Sequence, residues 1–423
     1  MRIAIVNWST QKVGGAETYL DVTVPALHRR GHDLAMFCET DAPANRARIA
    51  LPPGAPVFCA AANDSKSALA QLAEWKPEVL YAHGVASVAA ECQILEIAPA
   101  VLFAHGYLGT CISGEKAFKF PDRRPCSRRF GWRCLMHYYP RRCGGLNPAT
   151  MWKLYRLEAR RLSLLRHYQA IITASQYMRQ ELIRHGLHPG MIHAIESPIA
   201  LDDASAHCPP DREVSPSAPL PASGATANAW RLLFAGRMTD LKGGSIMLAA
   251  LPRIAAALGC PLKALFVGDG PARAAWENEA RRVRSRNRAL DVEFAGWLHG
   301  DALDAAIDSC HLLLMPSVWP EPFGRSGPEA GLRGVPAVAF AVGGIPEWLL
   351  DGVNGHLASA DPPTAASLAD AVVKALADSD HYQRLRSGAR ARAMSFTLSS
   401  HLAKLTEILA AVTLVGARAR GAA

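Results

Sequence analysis

Glu321 and Glu329 stand eight positions apart in S-V-W-P-E-P-F-G-R-S-G-P-E, residues Ser317 to Glu329, and Arg237 and Lys242 stand five apart in G-R-M-T-D-L-K-G-G, residues Gly236 to Gly244. Carboxylates can accept hydrogen bonds from sugar hydroxyls. Backbone N–H groups at a strand tip and helix start can hold a phosphate beside them. Pro320, Pro322 and Gly324 delay the helix that Gly327 to Leu332 begins, with Ser326 as its expected N-cap. Glu321 is then expected in a loop and Glu329 in the first helical turn, where backbone N–H groups favour an anion. The bland alternative is a pair of solvated loop cations, a surface acid, and an acid that merely complements a helix N-terminus.

The elements needed to position these groups are legible as alternation. Arg2 to Asn7, Asp33 to Cys38, Glu78 to His83, Ala100 to His105 and Ala170 to Ala174 read as buried strands, separated by helices such as Gly15 to Arg30 and Gln176 to His185, the latter closed by Gly186. A Pro-, Ser- and Ala-rich stretch from about Leu201 to Ala229 interrupts the rhythm as a linker. Strands then resume at Arg231 to Ala235, Leu262 to Val267, Val292 to Ala295, His311 to Met315 and Pro336 to Phe340. Helices follow from Ala365 to Ala377, Tyr382 to Met394 and Leu398 to Leu414. Such alternation predicts an α/β chain of two Rossmann-like parallel-sheet domains, with ligands at strand C-termini in a cleft between them. The expected domains are 1–200, carrying an insertion at about 107–150; a linker, 201–229; 230–395; and a last helix, 396–423, that packs back on the first domain.

The E-x7-E pair resembles that of the retaining glycosyltransferases of family 4 (GT4, glycosyltransferase group 1), which have the GT-B fold. Further elements fit in the same order. They are G-G-A-E at Gly14 to Glu17, A-H-G at Ala82 to Gly84 and again at Ala104 to Gly106, and G-R-x4-K-G at Gly236 to Gly243. V-G-D-G-P follows at Val267 to Pro271, then F-A-G at Phe294 to Gly296, G-G-I-P-E at Gly343 to Glu347 and D-G-V-N-G at Asp351 to Gly355. The resemblance implies that Arg237 and Lys242 bind the donor diphosphate and Glu329 the ribose hydroxyls. It implies that Glu321, with the Phe323 and Gly324 backbone, contacts the donor sugar. Gly14 and Gly15 would admit the diphosphate and acceptor closely, and His105 would stand near the transferred sugar, whereas His83 reads as structural. The implied activity is transfer of a hexose, with retention, from a nucleoside diphosphate sugar to a glycan or lipid-linked acceptor, in cell-surface polysaccharide or glycolipid synthesis. A degenerate nucleotide-sugar-binding assembly subunit, or a nucleotide-sugar epimerase on the same fold, is the alternative. Intact Arg237, Lys242, Glu321 and Glu329 disfavour both.

No cofactor and no catalytic metal are expected. Asp378-Ser-Asp380 is the one D-x-D found, and it falls between helices, as a helix break and cap. Gly268-Asp-Gly270-Pro-Ala-Arg273 ends in arginine where a dinucleotide fingerprint needs a small residue.

The insertion carries Cys111, Cys126, Cys134 and Cys143 among nine Lys and Arg from Lys116 to Arg142, interleaved with Phe118, Phe120, Phe130, Trp132, Tyr138 and Tyr139. Four thiols in one short segment can form a tetrahedral site, and cations favour thiolates, although no C-x-x-C pair is present. A structural zinc on these four cysteines is expected, against free thiols or disulfides. The basic and aromatic residues suit an anionic lipid-linked or phosphorylated acceptor. Met151 to His167 reads as a basic amphipathic helix whose apolar positions face the core. The net charge of +9 carries no nucleic-acid signature with it. With no signal peptide and no uninterrupted apolar span, the chain is expected in the cytoplasm, in peripheral contact with the inner membrane face.

Overall fold

The computed structural model describes residues 1–12, 14–43, 45–199 and 229–421. The expected linker lies almost wholly outside the described residues. The chain divides into two compact units: 1–116, 127–198 and 398–423 form one, and 117–126 with 199–397 form the other. Two details depart from a simple division in sequence. The C-terminal helix, Leu398–Gly421, groups with the first unit, and ten residues of the insertion, 117–126, group with the second.

The first unit holds seven parallel strands: β1 (Arg2–Ser9), β2 (Asp33–Thr40), β3 (Val57–Cys59), β4 (Val79–Gly84), β5 (Ala100–Ala104), β8 (Ala170–Thr173) and β9 (Ile192–Ala194), in the order β3-β2-β1-β4-β5-β8-β9. Strands β6 (Ala117–Phe118) and β7 (Arg124–Pro125), in the residues that group with the second unit, form a small antiparallel hairpin. The strands are near-continuous apolar runs because both faces of the sheet are covered. Ile3, Ala4 and Ile5 are fully buried, as are Ala35, Met36 and Phe37 beside them. Helix Gln176–Arg184 starts where Ser175 Oγ accepts the Met178 N–H at 3.3 Å, and Gly186 at φ +85° lets the chain turn away after it.

The second unit holds β10 (Trp230–Ala235), β11 (Leu262–Val267), β12 (Leu290–Gly296), β13 (Leu312–Met315), β14 (Ala337–Phe340) and β15 (Gly355–Ala358), parallel in the order β12-β11-β10-β13-β14-β15. Phe234, Phe266 and Phe294 are in register across three strands and stack at 5.4 and 4.8 Å. By length and composition alone Asp240–Leu258 could cross a membrane, contrary to the expectation that no stretch could. Its residues Met247, Leu248, Leu251 and Ile254 are fully buried in the core of this unit. Asp378 caps helix Ser379–Met394, accepting the His381 N–H at 2.6 Å, so the D-x-D is the helix cap its position suggested.

In each unit the strand order reverses once, between β1 and β4 and between β10 and β13. Chains leaving the C-terminal ends of such neighbouring strands diverge to opposite faces and open a crevice. The loops of interest follow these strands.

Candidate active site

In the second unit, β10 runs into the loop that carries Arg237 and Lys242, and β13 into the loop that carries Glu321. The Lys242 Nζ meets Glu321 Oε1 at 2.5 Å, and the same ammonium lies 5.1 Å from the centre of the Trp319 ring. The Glu321 side chain is only 5% exposed against 28% for Lys242, so the cation compensates a nearly buried carboxylate. Arg237 is exposed on the same loop as Lys242.

Two glycines make this approach sterically possible. Gly243, at φ +71°, has the Pro316 carbonyl oxygen only 1.8 Å from where a Cβ would lie. Gly343, at φ +60°, comes within 2.3 Å of the Glu321 carbonyl oxygen in the same sense, and the Gly344 N–H donates to that oxygen at 2.7 Å. Any other residue at Gly243 would push the loops after β10 and β13 apart, and at Gly343 those after β13 and β14.

Beyond Glu321 the loop is pinned through its backbone. Trp348 Nε1 donates to the Phe323 carbonyl at 2.6 Å, and Phe323 packs edge-on against Phe396 at 5.4 Å. Helix Ser326–Leu332 follows, with Arg325 as its N-cap. Ser326 is therefore the first helical residue and not the cap, and its hydroxyl points to Met315 Sδ at 3.8 Å. Glu329 is in the first turn as expected, with Oε1 3.0 Å from Arg325 Nη2. The structure thus brings Lys242 and Glu321 together directly and pairs Glu329 with a cation four residues earlier.

In the first unit, Gly14 and Gly15 open helix Gly15–Arg29 and are exposed. The Glu17 carboxylate accepts the Gly14 N–H at 2.9 Å and the Trp8 indole N–H at 3.1 Å, fixing the loop from beneath. A Cβ on Gly15 would meet nothing within 4 Å, and one on Gly14 only Glu17 at 3.8 Å. Packing of the chain itself does not require glycine at either position.

His105 directly follows β5, and His83 lies on the neighbouring β4. His83 Nδ1 and His105 Nε2 are 2.8 Å apart. His83 Nε2 is buried and has no hydrogen-bond partner among the described residues. An orphaned N–H is costlier than an orphaned lone pair. We therefore assign the proton of His83 to Nδ1, donating to His105, which leaves the His105 proton on Nδ1. Burial, and then the neighbouring His105, hold His83 well below the ordinary imidazole range, so it is neutral. Tyr19 Oη, 2.6 Å from Tyr81 Oη and 2.7 Å from His401 Nε2, completes the buried polar layer behind these rings.

Sequence reasoning missed four of these residues: Trp319, Arg325, Glu17 and His83 as the orienting partner of His105. Glu17 closes the G-G-A-E run that begins at Gly14. His83 could be found only by knowing that β4 and β5 are neighbours.

The cysteine expectation is corrected. Among the described residues, no three His, Cys, Asp or Glu side chains gather into a group that could hold a metal ion. Cys111 Sγ faces Ser113 Oγ at 3.4 Å, Cys134 Sγ donates to the Arg129 carbonyl and Cys143 Sγ to the His137 carbonyl, each at 3.9 Å, while Cys126 belongs to the other unit. A buried ion pair anchors the insertion instead. Lys116 and Glu181, each 1% exposed, are in direct contact, and Lys116 Nζ also donates to the carbonyls of Arg128 and Thr110. His185 Nε2 accepts the Phe130 N–H at 2.8 Å.

Two parallel-sheet units, the second with cation- and carboxylate-bearing loops at its switch point, define an α/β protein of the GT-B fold class. Residues 13–203 match the model of glycosyltransferase family 4, and residues 229–378 that of the glycosyl transferases group 1. The chain belongs to this glycosyltransferase family. It is 34% identical over 124 residues to an uncharacterized glycosyltransferase of Methanocaldococcus jannaschii, covering 29% of this chain and 30% of that protein. It is 28% identical over 236 residues to a D-inositol 3-phosphate glycosyltransferase of Mycobacterium bovis, covering 55% of this chain and 44% of the relative. The matches span less than half the length of both relatives. The Anabaena protein HepE, solved with UDP and glucose, shares the fold at a TM-score of 0.62 and 20% identity, over 97% of this chain and 100% of that one.

Proposed function

We propose that the protein transfers a hexose from a nucleoside diphosphate sugar to a glycan or lipid-linked acceptor, with retention and without a metal ion. The observation that carries this reading is the Lys242–Glu321 pair at adjacent strand tips, flanked by Arg237. Lys242 and Arg237 offer the positive charge that a departing nucleoside diphosphate needs, and it is held in place before the reaction. Glu321 receives the sugar hydroxyls and Glu329 the ribose. The bare loop at Gly14 and Gly15 supports the same reading, because glycine there serves no packing need and leaves room for a ligand to approach the backbone closely. His105, held by His83, stands to contact the transferred sugar. The HepE structures hold UDP, UDP-glucose, or UDP and glucose, which makes UDP-hexoses the first donors to test.

Release of UDP from a panel of UDP-hexoses is the direct assay, with saccharide and polyprenyl-phosphate-linked acceptors added in turn. Turnover is expected to persist in EDTA and to be lost in Arg237→Ala and Lys242→Ala by about 10²- to 10³-fold in kcat/KM, the usual cost of removing one such electrostatic contact. Unchanged turnover in both variants, or a strict need for added magnesium or manganese, refutes the reading.

A further inference from the structure

We propose that the first unit docks on an anionic lipid bilayer through one surface, built from the segment Ser127 to Leu157. Charge is the first observation. The segment contains seven Lys and Arg and no Asp or Glu, in a chain whose net charge is +9. Arg128, Arg129, Arg133, Arg142, Lys153 and Arg156 are all exposed. The second observation is apolar and independent of the first. Trp132 is 61% exposed, Met136 59%, Leu146 85% and Trp152 50%. Large side chains left in water at this density mark a surface that another apolar phase covers.

These residues form one patch. Helices Arg133–Tyr138 and Pro148–Leu164 pack on each other. Phe130 lies 5.2 Å from Tyr155, which stacks on Trp152 at 5.8 Å, and the Arg133 guanidinium lies 5.7 Å from the centre of the Trp132 ring. The patch is also rigidly based. Asn147 caps the second helix, accepting the Ala149 N–H at 2.9 Å, and further along Glu158 turns inward to accept the Gly109 N–H at 2.5 Å. The first turns of that helix therefore stay at the surface with Trp152 and Lys153, while its later turns enter the core.

The combination selects the partner. Arginine and lysine at a lipid surface attract anionic headgroups, and indole rings with aliphatic side chains insert at the headgroup–acyl boundary. A nucleic acid would use the cations and the aromatic rings, but Leu146 and Met136 offer it nothing. The two contributions also reinforce one another, since neither a few apolar side chains nor a modest charge cluster holds a protein to a membrane alone.

Flotation of the full-length protein with phosphatidylcholine vesicles, and with vesicles in which part of the lipid is phosphatidylglycerol, tests this. Binding is expected to the anionic vesicles, falling as salt is raised, with a blue shift of tryptophan fluorescence. Exchanging Arg128, Arg133 and Lys153 for Glu should weaken partitioning by about fivefold or more for each lost cation. Trp132→Ser, Leu146→Ser and Trp152→Ser combined should abolish the blue shift and lower partitioning at least about tenfold, since each buried CH₂ counts. The thermal midpoint of each variant should stay at the wild-type value, because the exchanged side chains face solvent. Equal binding to neutral and anionic vesicles, absence of binding to either, or full binding by the apolar variant overturns the proposal. So does binding of single-stranded RNA that the apolar exchanges leave intact together with vesicle binding, because the surface would then be a general polyanion site.

Discussion

Lys242 and Glu321 do two things that can be separated. As a pair they keep a nearly buried carboxylate compensated, and as individuals they are the groups proposed to meet the donor. Lys242→Ala should therefore cost stability as well as turnover, about 1–3 kcal/mol in unfolding free energy, less than a fully buried pair because Lys242 retains some solvent contact. Adding Glu321→Gln removes the stranded charge. The Lys242→Ala/Glu321→Gln double variant should regain most of the thermal midpoint while turnover stays as low as in the single variant. Calorimetry beside UDP release checks this, and recovery of both together would show the pair to be structural only. The individual members of the pair were legible from spacing, because a cation before a glycine and a glutamate among prolines are unusual local choices. Their contact was not, since it depends on β10 and β13 being neighbours. Trp319 was missed for the same reason: an aromatic residue after a strand gives no local sign of what it will face.

At the scale of elements, long periodic segments were read well and short ones were not. Strands β3, β9 and β15 escaped because three or four residues carry too little pattern to be told from a loop. They exist because the sheets on which they lie supply the partner strand. The insertion misled more seriously. Its paucity of periodic apolar residues suggested a metal as the missing stabiliser, whereas Lys116 and Glu181 supply a buried ionic anchor whose halves lie 65 positions apart. Lys116→Met should strand the Glu181 charge and detach the segment, with a loss of about 3–5 kcal/mol in the local opening free energy. The many arginines of the insertion then become targets for trypsin. Limited proteolysis is expected to nick the variant within 117–142 much faster than the wild type. Glu181→Leu in addition should slow the nicking again, because an apolar pair of similar volume replaces an ionic one at little cost. A proteolysis rate unchanged by Lys116→Met would remove the ion pair from its anchoring role.

For the molecule as a whole, the two-sheet plan was the most legible feature, since alternation repeats over the entire chain and errors at single elements do not alter it. Burial of titratable groups was not legible at all, and it sets how stability responds to pH. His83 and His185 in the first unit and His356 in the second are all held below the ordinary imidazole value, with burial the largest cause in each. In the unfolded chain each takes up a proton near pH 6.5, the ordinary value for histidine, while in the folded chain it stays neutral. The unfolded state therefore binds more protons below that pH, and stability is present above it and lost as pH falls toward the lowered folded values. Each group can remove up to about 1.4 kcal/mol for every pH unit below about 6.5. Glu91 and Glu158, raised mainly by burial, act in the opposite sense, but only as pH approaches the ordinary carboxylate range. The interval from about pH 7.5 to about pH 6 isolates the histidines. Thermal midpoints measured across it should fall. The first unit, in which His32, His137 and His193 are lowered as well, should lose more than the second. His185→Gln should make the dependence shallower, since that position no longer takes up a proton on unfolding. Midpoints that hold steady across this interval in the wild type, or a slope identical in the variant, would mean that these imidazoles are not kept neutral by the fold.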